Sequence, residues 1–228
     1  MGIIDNYKKI KEDIQKIAAS AGRGNNDIKI VAVSKTFPAA AVQEAIDSGI
    51  TLIGENKVQE AKNKAAELKG DFSLHLVGHL QSNKTRDAVR IFDLIHSLDK
   101  LGTAEKIDDE AAKINKIQKI LVQVNTSEEE TKSGIEPADA ISLCSEILKL
   151  KNIELLGLMT IGPLTDDADD IRKSFKMLNE LLTEINMNLG INLRELSMGM
   201  TSDYSIAVTE GATIVRIGSA IFGNRNYS

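Results

Sequence analysis

The chain has 228 residues and a formal net charge of -5, with 42% hydrophobic and 27% charged residues. These proportions are typical of a soluble globular protein, and the length suits one domain with a sizeable core. Because no basic footprint is present, we expect no nucleic-acid partner. The one cysteine, Cys144, cannot form an internal disulfide and is predicted to be a small buried side chain.

We expect neither a membrane span nor an export signal in this sequence. Its apolar stretches are too short to span a bilayer. Asn6 stands where a myristoylation signal needs serine or threonine. Lysines and acids alternate from Lys8 to Asp13, which excludes a signal-peptide core. We therefore expect a cytoplasmic protein without a membrane partner.

An amphipathic helix is predicted over Ile3–Ala19, and from Ile28 short apolar runs alternate with helical stretches. Runs rich in Ile, Val and Leu between helices are typical of parallel strands buried on both faces. Pro38 and Pro137 each open a helical stretch, and the longest such stretch covers Asp166–Glu184. The apolar runs are Ile28–Val33, Thr51–Ile53, Leu74–Gly78, Leu94–Ser97, Ile120–Asn125, Leu155–Ile161, Leu193–Met198 and Ile214–Ile217.

Eight strands alternating with helices predict an α/β fold, a closed (β/α)8 TIM barrel. We expect a single domain over residues 1–228, with the barrel at about 28–222 and the extra N-terminal helix, about 3–19, beneath it. An open doubly wound sheet is the alternative. It would require a glycine fingerprint after the first strand, and Ser34-Lys35-Thr36-Phe37-Pro38 contains none.

A lysine follows the first predicted strand, at the barrel end where the chemistry of this fold gathers. The amine of Lys35 can form a Schiff base with a carbonyl compound there. A solvent-facing lysine before the next helix is the alternative. Lys57 and Lys84 also follow strands, but each opens a helical stretch and is predicted to face solvent.

Glycines and hydroxyls follow the seventh and eighth strands, in Gly199-Met200-Thr201-Ser202-Asp203 and in Gly218-Ser219. This region is the common phosphate site of the barrel, and glycine permits close backbone approach. Helix capping is a second interpretation, compatible with the first. A carbonyl-reactive lysine beside a phosphate site suggests pyridoxal 5′-phosphate (PLP), with Asn56 as a candidate contact to its ring.

The histidines predict neither a metal site nor a nucleophile. His75 and His79 are four residues apart, and on a strand they would lie on one face. No third ligand is evident, and no serine or cysteine stands in a triad context. We expect hydrogen-bonded barrel histidines, of which His79 can face a ligand.

Eight ordered motifs covering nearly the whole chain resemble the PLP homeostasis proteins, also called YggS-like proteins. The resemblance implies a barrel of the alanine-racemase type. The motifs are Ala32-Val33-Ser34-Lys35-Thr36, Gly54-Glu55-Asn56, Gly78-His79-Leu80-Gln81-Ser82-Asn83-Lys84, Ile95-His96-Ser97-Leu98-Asp99, Lys132-Ser133-Gly134, Gly157-Leu158-Met159-Thr160-Ile161, Ser197-Met198-Gly199-Met200 and Val215-Arg216-Ile217-Gly218-Ser219-Ala220-Ile221-Phe222-Gly223.

The resemblance also implies roles for particular residues. PLP would be held as an internal aldimine on Lys35, with Asn56 near the cofactor and Arg216 at the pyridine nitrogen. The phosphate would lie near Thr201, Gly218 and Ser219. Members of this family are regarded as PLP-binding regulators or carriers that affect vitamin B6 and amino-acid balance, without an established reaction.

Three positions depart from the family pattern. Lys57 stands where tyrosine is frequent, so contacts made there by relatives do not transfer. Thr201 replaces the usual serine, which keeps the hydroxyl and adds a methyl group. Ser219 replaces a frequent threonine, which also keeps the hydroxyl.

Arg216 distinguishes a carrier from an enzyme. A guanidinium only donates hydrogen bonds, so it favours an unprotonated pyridine nitrogen, whereas many PLP enzymes place an acidic partner there. Racemases of this barrel type tolerate such an arginine, but they add a second domain with an acid–base tyrosine, and we expect none here. The tyrosines are Tyr7, Tyr204 and Tyr227, of which Tyr204 alone is a candidate.

The leading hypothesis is a monomeric PLP-binding protein of vitamin B6 homeostasis without catalytic residues, for which apo PLP-dependent enzymes are the candidate acceptors. The alternative is a low-activity, racemase-like amino-acid enzyme with Lys35 as its base. A third hypothesis is a PLP-free aldolase that forms Schiff bases with sugar phosphates.

Overall fold

The computed structural model describes residues 2–24, 28–127, 129 and 133–223. Within them, eight parallel strands close into a barrel in which each strand pairs with the next and the eighth pairs with the first. The predicted TIM barrel is confirmed, and the open sheet is wrong. The strands are β1 (Lys29–Val33), β2 (Leu52–Glu55), β3 (Ser73–Leu76), β4 (Leu94–Leu98), β5 (Gln118–Gln123), β6 (Ile153–Met159), β7 (Glu195–Ser197) and β8 (Ile214–Ile217).

Helices connect the strands on the outside of the barrel. The longest helix, Ala168–Leu189, begins and ends later than the predicted Asp166–Glu184. The Asp167 side chain accepts from the Asp169 N–H and caps the start of the helix, and Gly190, at φ 64°, ends it. Among the described residues the helices are α1 (Ile3–Ser20), α2 (Ala39–Asp47), α3 (Val58–Ala65), α4 (Thr85–Ile91), α5 (Leu101–Ala112), α6 (Ala140–Ile147), α7 (Ala168–Leu189), α8 (Tyr204–Thr209) and α9 (Ser219–Phe222), with 3-10 turns at Ser82–Lys84 and Pro137–Asp139. No helix in these ranges is long and apolar enough to cross a membrane.

The N-terminal helix lies beside the barrel, so its predicted place beneath it is wrong. Helix α1 packs against α8, α9 and α2. Asn6 Nδ2 donates to the carbonyl of Ile221 in α9 (3.0 Å), and Arg23 Nη1 donates to the carbonyl of Val208 in α8 (2.7 Å). Because α9 is only four residues long, it cannot cover the barrel wall beyond β8. The apolar face of α1 covers that wall instead.

Side-chain alternation along the strands separates two cores. Residues on the outer faces of the strands pack against the helices in one large cluster, which includes Cys144. As predicted, Cys144 is buried, and burial raises the pKa of its thiol to about 12. A second cluster fills the barrel interior, where alternate residues of the strands meet. Its buried members are Val31, Val33, Val77, Leu94, Leu121, Met159 and Ile214.

A chain of polar side chains runs through this otherwise apolar interior. It begins at Arg216, which donates from Nη1 to Ser197 Oγ (2.8 Å). Ser197 Oγ is 2.8 Å from His96 Nδ1, and His96 Nε2 is 3.0 Å from His75 Nδ1. His75 Nε2 ends the chain 3.1 Å from Ser73 Oγ. The polar chain therefore links the mouth of the barrel to the start of β3.

Both histidines of the polar chain are neutral near pH 7. Burial lowers the pKa of His75 to about 4 and that of His96 well below its usual value. Arg216 can only donate, so Ser197 accepts from it and its hydroxyl can donate to His96. With that choice, all hydrogen bonds of the polar chain point in one direction, from Arg216 to Ser73. Each ring then carries its proton on Nε2. The polar chain thus presents an acceptor to Arg216.

The depressed histidine pKa values predict a loss of stability in mild acid. In the unfolded chain both rings take up protons near pH 6.5. In the native protein the His75 ring remains neutral until the pH approaches 4, and burial also lowers the pKa of His96 well below its usual value. The unfolded state therefore binds more protons, and the free energy of unfolding should fall by up to about 1.4 kcal/mol per pH unit per histidine below pH 6.5.

Urea unfolding between pH 7.5 and 4.5 tests this, with the double variant His75→Gln, His96→Gln as reference. The free energy of unfolding of the wild type, plotted against pH, should fall more steeply than that of the variant below pH 6.5. Above pH 6.5 the two curves should be parallel. Parallel curves over the whole range would show that the histidines are not buried in neutral form.

Candidate functional site

A cavity of about 520 Å³ opens at the carboxyl ends of the strands. Val33 and Val77, at the top of the interior apolar cluster, line it. All six residues predicted from the sequence to contact PLP also line it, namely Lys35, Asn56, Thr201, Arg216, Gly218 and Ser219. Lys57 is exposed, as predicted, and Lys84 is half-buried; neither lines the cavity. The structure thus brings the six residues together, while their individual roles toward PLP stay predictions.

Lys35 lies in the tight turn that ends β1. Strand pairing continues to the Ser34 N–H, which donates to the carbonyl of Gly54 (2.9 Å), and the Phe37 N–H then donates back to the carbonyl of Ser34 (3.1 Å). Thr36 within this turn has φ 71°, in the left-handed region. Because Val31 and Val33 face the interior, Lys35 continues the same alternation into the cavity, where it is half-buried.

Asn56 is held in place by a close backbone approach. Gly78 follows β3 next to it, and a Cβ at this position would lie 2.2 Å from the Asn56 carbonyl oxygen. Any larger residue would push the loop after β2, which carries Asn56, away from the loop after β3, so glycine is required at position 78. Ser97 Oγ, on β4, donates to the Gly78 carbonyl (2.6 Å) and holds the loop after β3 in place.

Thr201 and Ser219 face each other across the rim of the cavity. Their hydroxyl oxygens are 3.4 Å apart, and Gly218, without a side chain, lies beside them. The turn that carries Thr201 begins at Gly199, where φ is 91° and a Cβ would lie 2.5 Å from the Ala207 Cβ. Glycine is therefore needed at position 199 to bring the Thr201 hydroxyl toward Ser219.

Arg216 lines the cavity from β8, and the residue is 5% exposed. It donates from Nη1 to Ser197 Oγ and from Nη2 to the carbonyl of Thr160, both at 2.8 Å. Burial lowers its pKa to about 10, opposed by the charge of Asp203, so it stays protonated at neutral pH. It therefore offers the cavity a charged hydrogen-bond donor and no acceptor.

The histidines divide between the barrel interior and the cavity rim. Strand β3 ends at Leu76, so the prediction that His75 and His79 share one strand face is wrong. His75 belongs to the polar chain, whereas His79 lines the cavity with Nδ1 3.9 Å from Asp99 Oδ2. Across the described ranges, no three His, Cys, Asp or Glu side chains are grouped to hold a metal ion.

The tyrosines do not supply an acid–base group to the cavity within the part of the chain that is described. Tyr204 begins α8 and packs against the outer core, and Tyr7 lies in α1. Neither lines the cavity. Tyr227 lies outside the described residues, as does Lys132 of the fifth sequence motif.

Sequence reasoning missed two polar groups around the site. The first is the polar chain that holds Arg216. The second is a buried ion cluster of Lys64, Glu55 and Glu60 behind the turn of Lys35. Its sequence signal was the polar pair Ser34 and Glu55 at outward positions of two apolar strands, where a charge needs a partner.

Comparison with known proteins places the chain among relatives of full length. The family model of the alanine racemase N-terminal domain matches residues 6–226. A pyridoxal phosphate homeostasis protein of Aquifex aeolicus is 41% identical over 228 residues, which are 100% of both chains. PipY of Synechococcus elongatus, in a solved structure with PLP bound, is 38% identical with a TM-score of 0.82, and the match covers 92% of this chain and 100% of that one.

A more distant likeness concerns the fold alone. An alanine racemase of Clostridium difficile is 17% identical with a TM-score of 0.76, and the match covers 98% of this chain and 58% of that one. It confirms the expected barrel of the alanine-racemase type. Since a family model matches residues 6–226 and a full-length relative is 41% identical, the chain belongs to the pyridoxal phosphate homeostasis protein family.

Proposed function

We propose that this protein binds PLP in the cavity at the barrel mouth and holds it for exchange, as part of PLP homeostasis. One observation carries the proposal: an amine, a hydroxyl pair and a buried guanidinium line the same cavity. The PLP-bound structure of the relative PipY supports it and speaks against a PLP-free aldolase.

The donor set of the cavity fits the three functional groups of PLP. The Lys35 amine suits the aldehyde, to which it would be joined as a Schiff base. The Thr201 and Ser219 hydroxyls beside Gly218 suit the phosphate, and the Arg216 guanidinium suits the ring nitrogen as a donor. Bound PLP supplies an aldehyde that reacts reversibly with amines.

The environment of Arg216 favours holding over catalysis. Its hydrogen bonds to Ser197 and to the Thr160 carbonyl fix the guanidinium as a donor, which favours an unprotonated ring nitrogen in front of it. An unprotonated ring is the weaker electron sink, so removal of a proton from an amino acid is disfavoured, while exchange of the Schiff base remains. We infer a monomeric carrier that releases PLP to apo PLP-dependent enzymes.

Removal of the proposed attachment point gives the first functional test. Borohydride reduction of the PLP-loaded wild type should fix a pyridoxyl group on the peptide that contains Lys35. The Lys35→Ala variant should lose this label but retain weak PLP binding, because the hydroxyls near Gly218 remain.

The variants Lys57→Ala and Lys84→Ala are matched controls, since both lysines also follow strands but do not line the cavity. Both should be labelled like the wild type. Label found mainly on Lys57 or Lys84 would overturn the assignment of Lys35.

The phosphate contact can be separated from the aldehyde contact. The double variant Thr201→Val, Ser219→Ala removes both hydroxyls, and we expect PLP to bind roughly 10- to 100-fold more weakly, the loss of one or two hydrogen bonds to a charged group. Pyridoxal, which has no phosphate, should bind the variant and the wild type equally. An equal loss for PLP and pyridoxal in a titration would place the hydroxyls elsewhere than at the phosphate.

The proposal also predicts which reaction is absent. The wild type should transfer PLP to an apo-enzyme but incorporate negligible solvent deuterium at the α-carbon of amino acids. Arg216→Glu should favour ring protonation and raise deuterium incorporation slightly, whereas the control Arg216→Gln, which carries no charge, should not. Rapid, stereospecific incorporation by the wild type without transfer to an acceptor would make the protein a racemase-like enzyme.

A further inference from the structure

A buried ion cluster lies directly behind the turn of Lys35, between the barrel wall and α3. At its centre is Lys64, which is 8% exposed. The Lys64 ammonium donates to the Ser34 carbonyl (2.9 Å), to Glu55 Oε1 (2.8 Å) and to Glu60 Oε1 (2.7 Å). An ammonium has three protons, so this cluster uses all of them.

The cluster holds the backbone on both sides of Lys35. On one side, Lys64 binds the Ser34 carbonyl directly, and Ser34 Oγ also donates to Glu55 Oε1 (2.6 Å). On the other side, the Thr36 N–H donates to Glu60 Oε1 (2.6 Å), the same oxygen that accepts from Lys64. One buried ammonium thus connects, directly or through a single carboxylate, to the residues before and after Lys35.

The turn held in this way has an unfavourable backbone conformation. Thr36 is β-branched and has φ 71°, a region that such residues rarely adopt. Its side chain is exposed, so packing does not impose this conformation. The hydrogen bond from the Phe37 N–H to the Ser34 carbonyl closes the turn, and the hydrogen bond from the Thr36 N–H to Glu60 supports its conformation. The chain therefore reverses after β1 with Lys35 still facing the cavity.

The buried charges of the ion cluster are not a favourable way to stabilise the fold. Glu55 is 1% exposed, and its Oε2 has no hydrogen-bond partner in the described part of the chain. Buried ion pairs rarely stabilise a fold more than apolar side chains of similar volume, and an unpartnered buried oxygen weakens this one further. Its position behind Lys35 therefore points to a role in the site.

We propose that Lys64 is a positioning residue for Lys35: by fixing the backbone on both sides, it directs the Lys35 amine at the PLP aldehyde. This inference rests on the proposed attachment of PLP to Lys35. The phosphate contacts come from the turns after β7 and β8, which the cluster does not touch. Loss of the Lys64 ammonium should therefore loosen the covalent link and leave phosphate binding unchanged.

The test compares Lys64→Met with Lys62→Met. Lys62 is on the same helix, half-exposed, and paired with Asp87 at 3.0 Å, outside the cluster. The readout is the rate at which hydroxylamine captures the aldehyde from the loaded protein, followed by visible absorbance. Lys64→Met should speed capture roughly 10- to 100-fold, the effect of misplacing a reacting group by about an ångström, and Lys62→Met should not change it.

Pyridoxine 5′-phosphate, which has the phosphate but no aldehyde, separates positioning from general damage. Its Kd should be the same for the wild type and Lys64→Met. An equal weakening of pyridoxine 5′-phosphate and PLP would mean that the whole site is disturbed, and would overturn the inference.

Two further substitutions test the connection if Lys64→Met leaves the Glu55 charge unpaired and does not fold. Glu60→Gln keeps an acceptor for the Thr36 N–H and should retain the wild-type capture rate, whereas Glu60→Ala should speed capture. In a Thr36→Gly background, glycine adopts the left-handed turn without strain, so the effect of Glu60→Ala should shrink.

The failures of the two proposals are distinguishable. If borohydride labels Lys35 in the wild type, but neither Lys64→Met nor Glu60→Ala changes capture more than Lys62→Met does, the positioning role is wrong and the attachment stands. If Lys35 is not labelled in the wild type, the proposed attachment is wrong, and the positioning role falls with it.

Discussion

The alternation of side chains along a closed parallel barrel is the constraint on which the site depends. Once Val31 and Val33 face the interior, Lys35 must face the cavity, and Ser34 must face the helices. The same rule places Arg216 inside on β8. A register shift of one residue would move the lysine to the outer layer and break both the cavity and the ion cluster behind it.

Burial gives the two cationic side chains of the site region opposite uses. Arg216 keeps its charge at the cavity because the lowering of its pKa by burial is opposed by Asp203 and stops at about 10. Ser197, next to the neutral histidines of the polar chain, holds the guanidinium in one orientation. Lys64 is buried as well, but its ammonium is paired with two carboxylates and one carbonyl outside the barrel wall. In the proposed function, Arg216 contacts the ligand, whereas Lys64 holds the backbone that carries Lys35.

The strands, the closed barrel and the residues of the cavity could be predicted from the sequence because each depends on local pattern: apolar runs, helical periodicity and position at a strand end. Features that depend on where an element stops could not. The place of α1 follows from the shortness of α9, and the separation of His75 from His79 follows from the end of β3 at Leu76. The spacing of Glu60 and Lys64, four residues apart on α3, is visible in the sequence. The other partners of Lys64 lie in the turn after β1 and at the end of β2, so no spacing along the chain reveals them.

A protein that holds and releases an aldehyde must separate the bond that exchanges from the contacts that retain. Here the amine comes from the turn after β1, while the facing hydroxyls come from the turns after β7 and β8. In the proposed function, different backbone segments would carry the covalent link and the phosphate contacts, so the Schiff base would open without loss of those contacts. The strained Thr36, whose N–H donates to Glu60, lies in the turn that carries the amine, so the strain is on the side of the proposed covalent link. A carrier requires this asymmetry. The lifetime of its covalent link depends on one turn, and its phosphate contacts, on other turns, remain while the link exchanges.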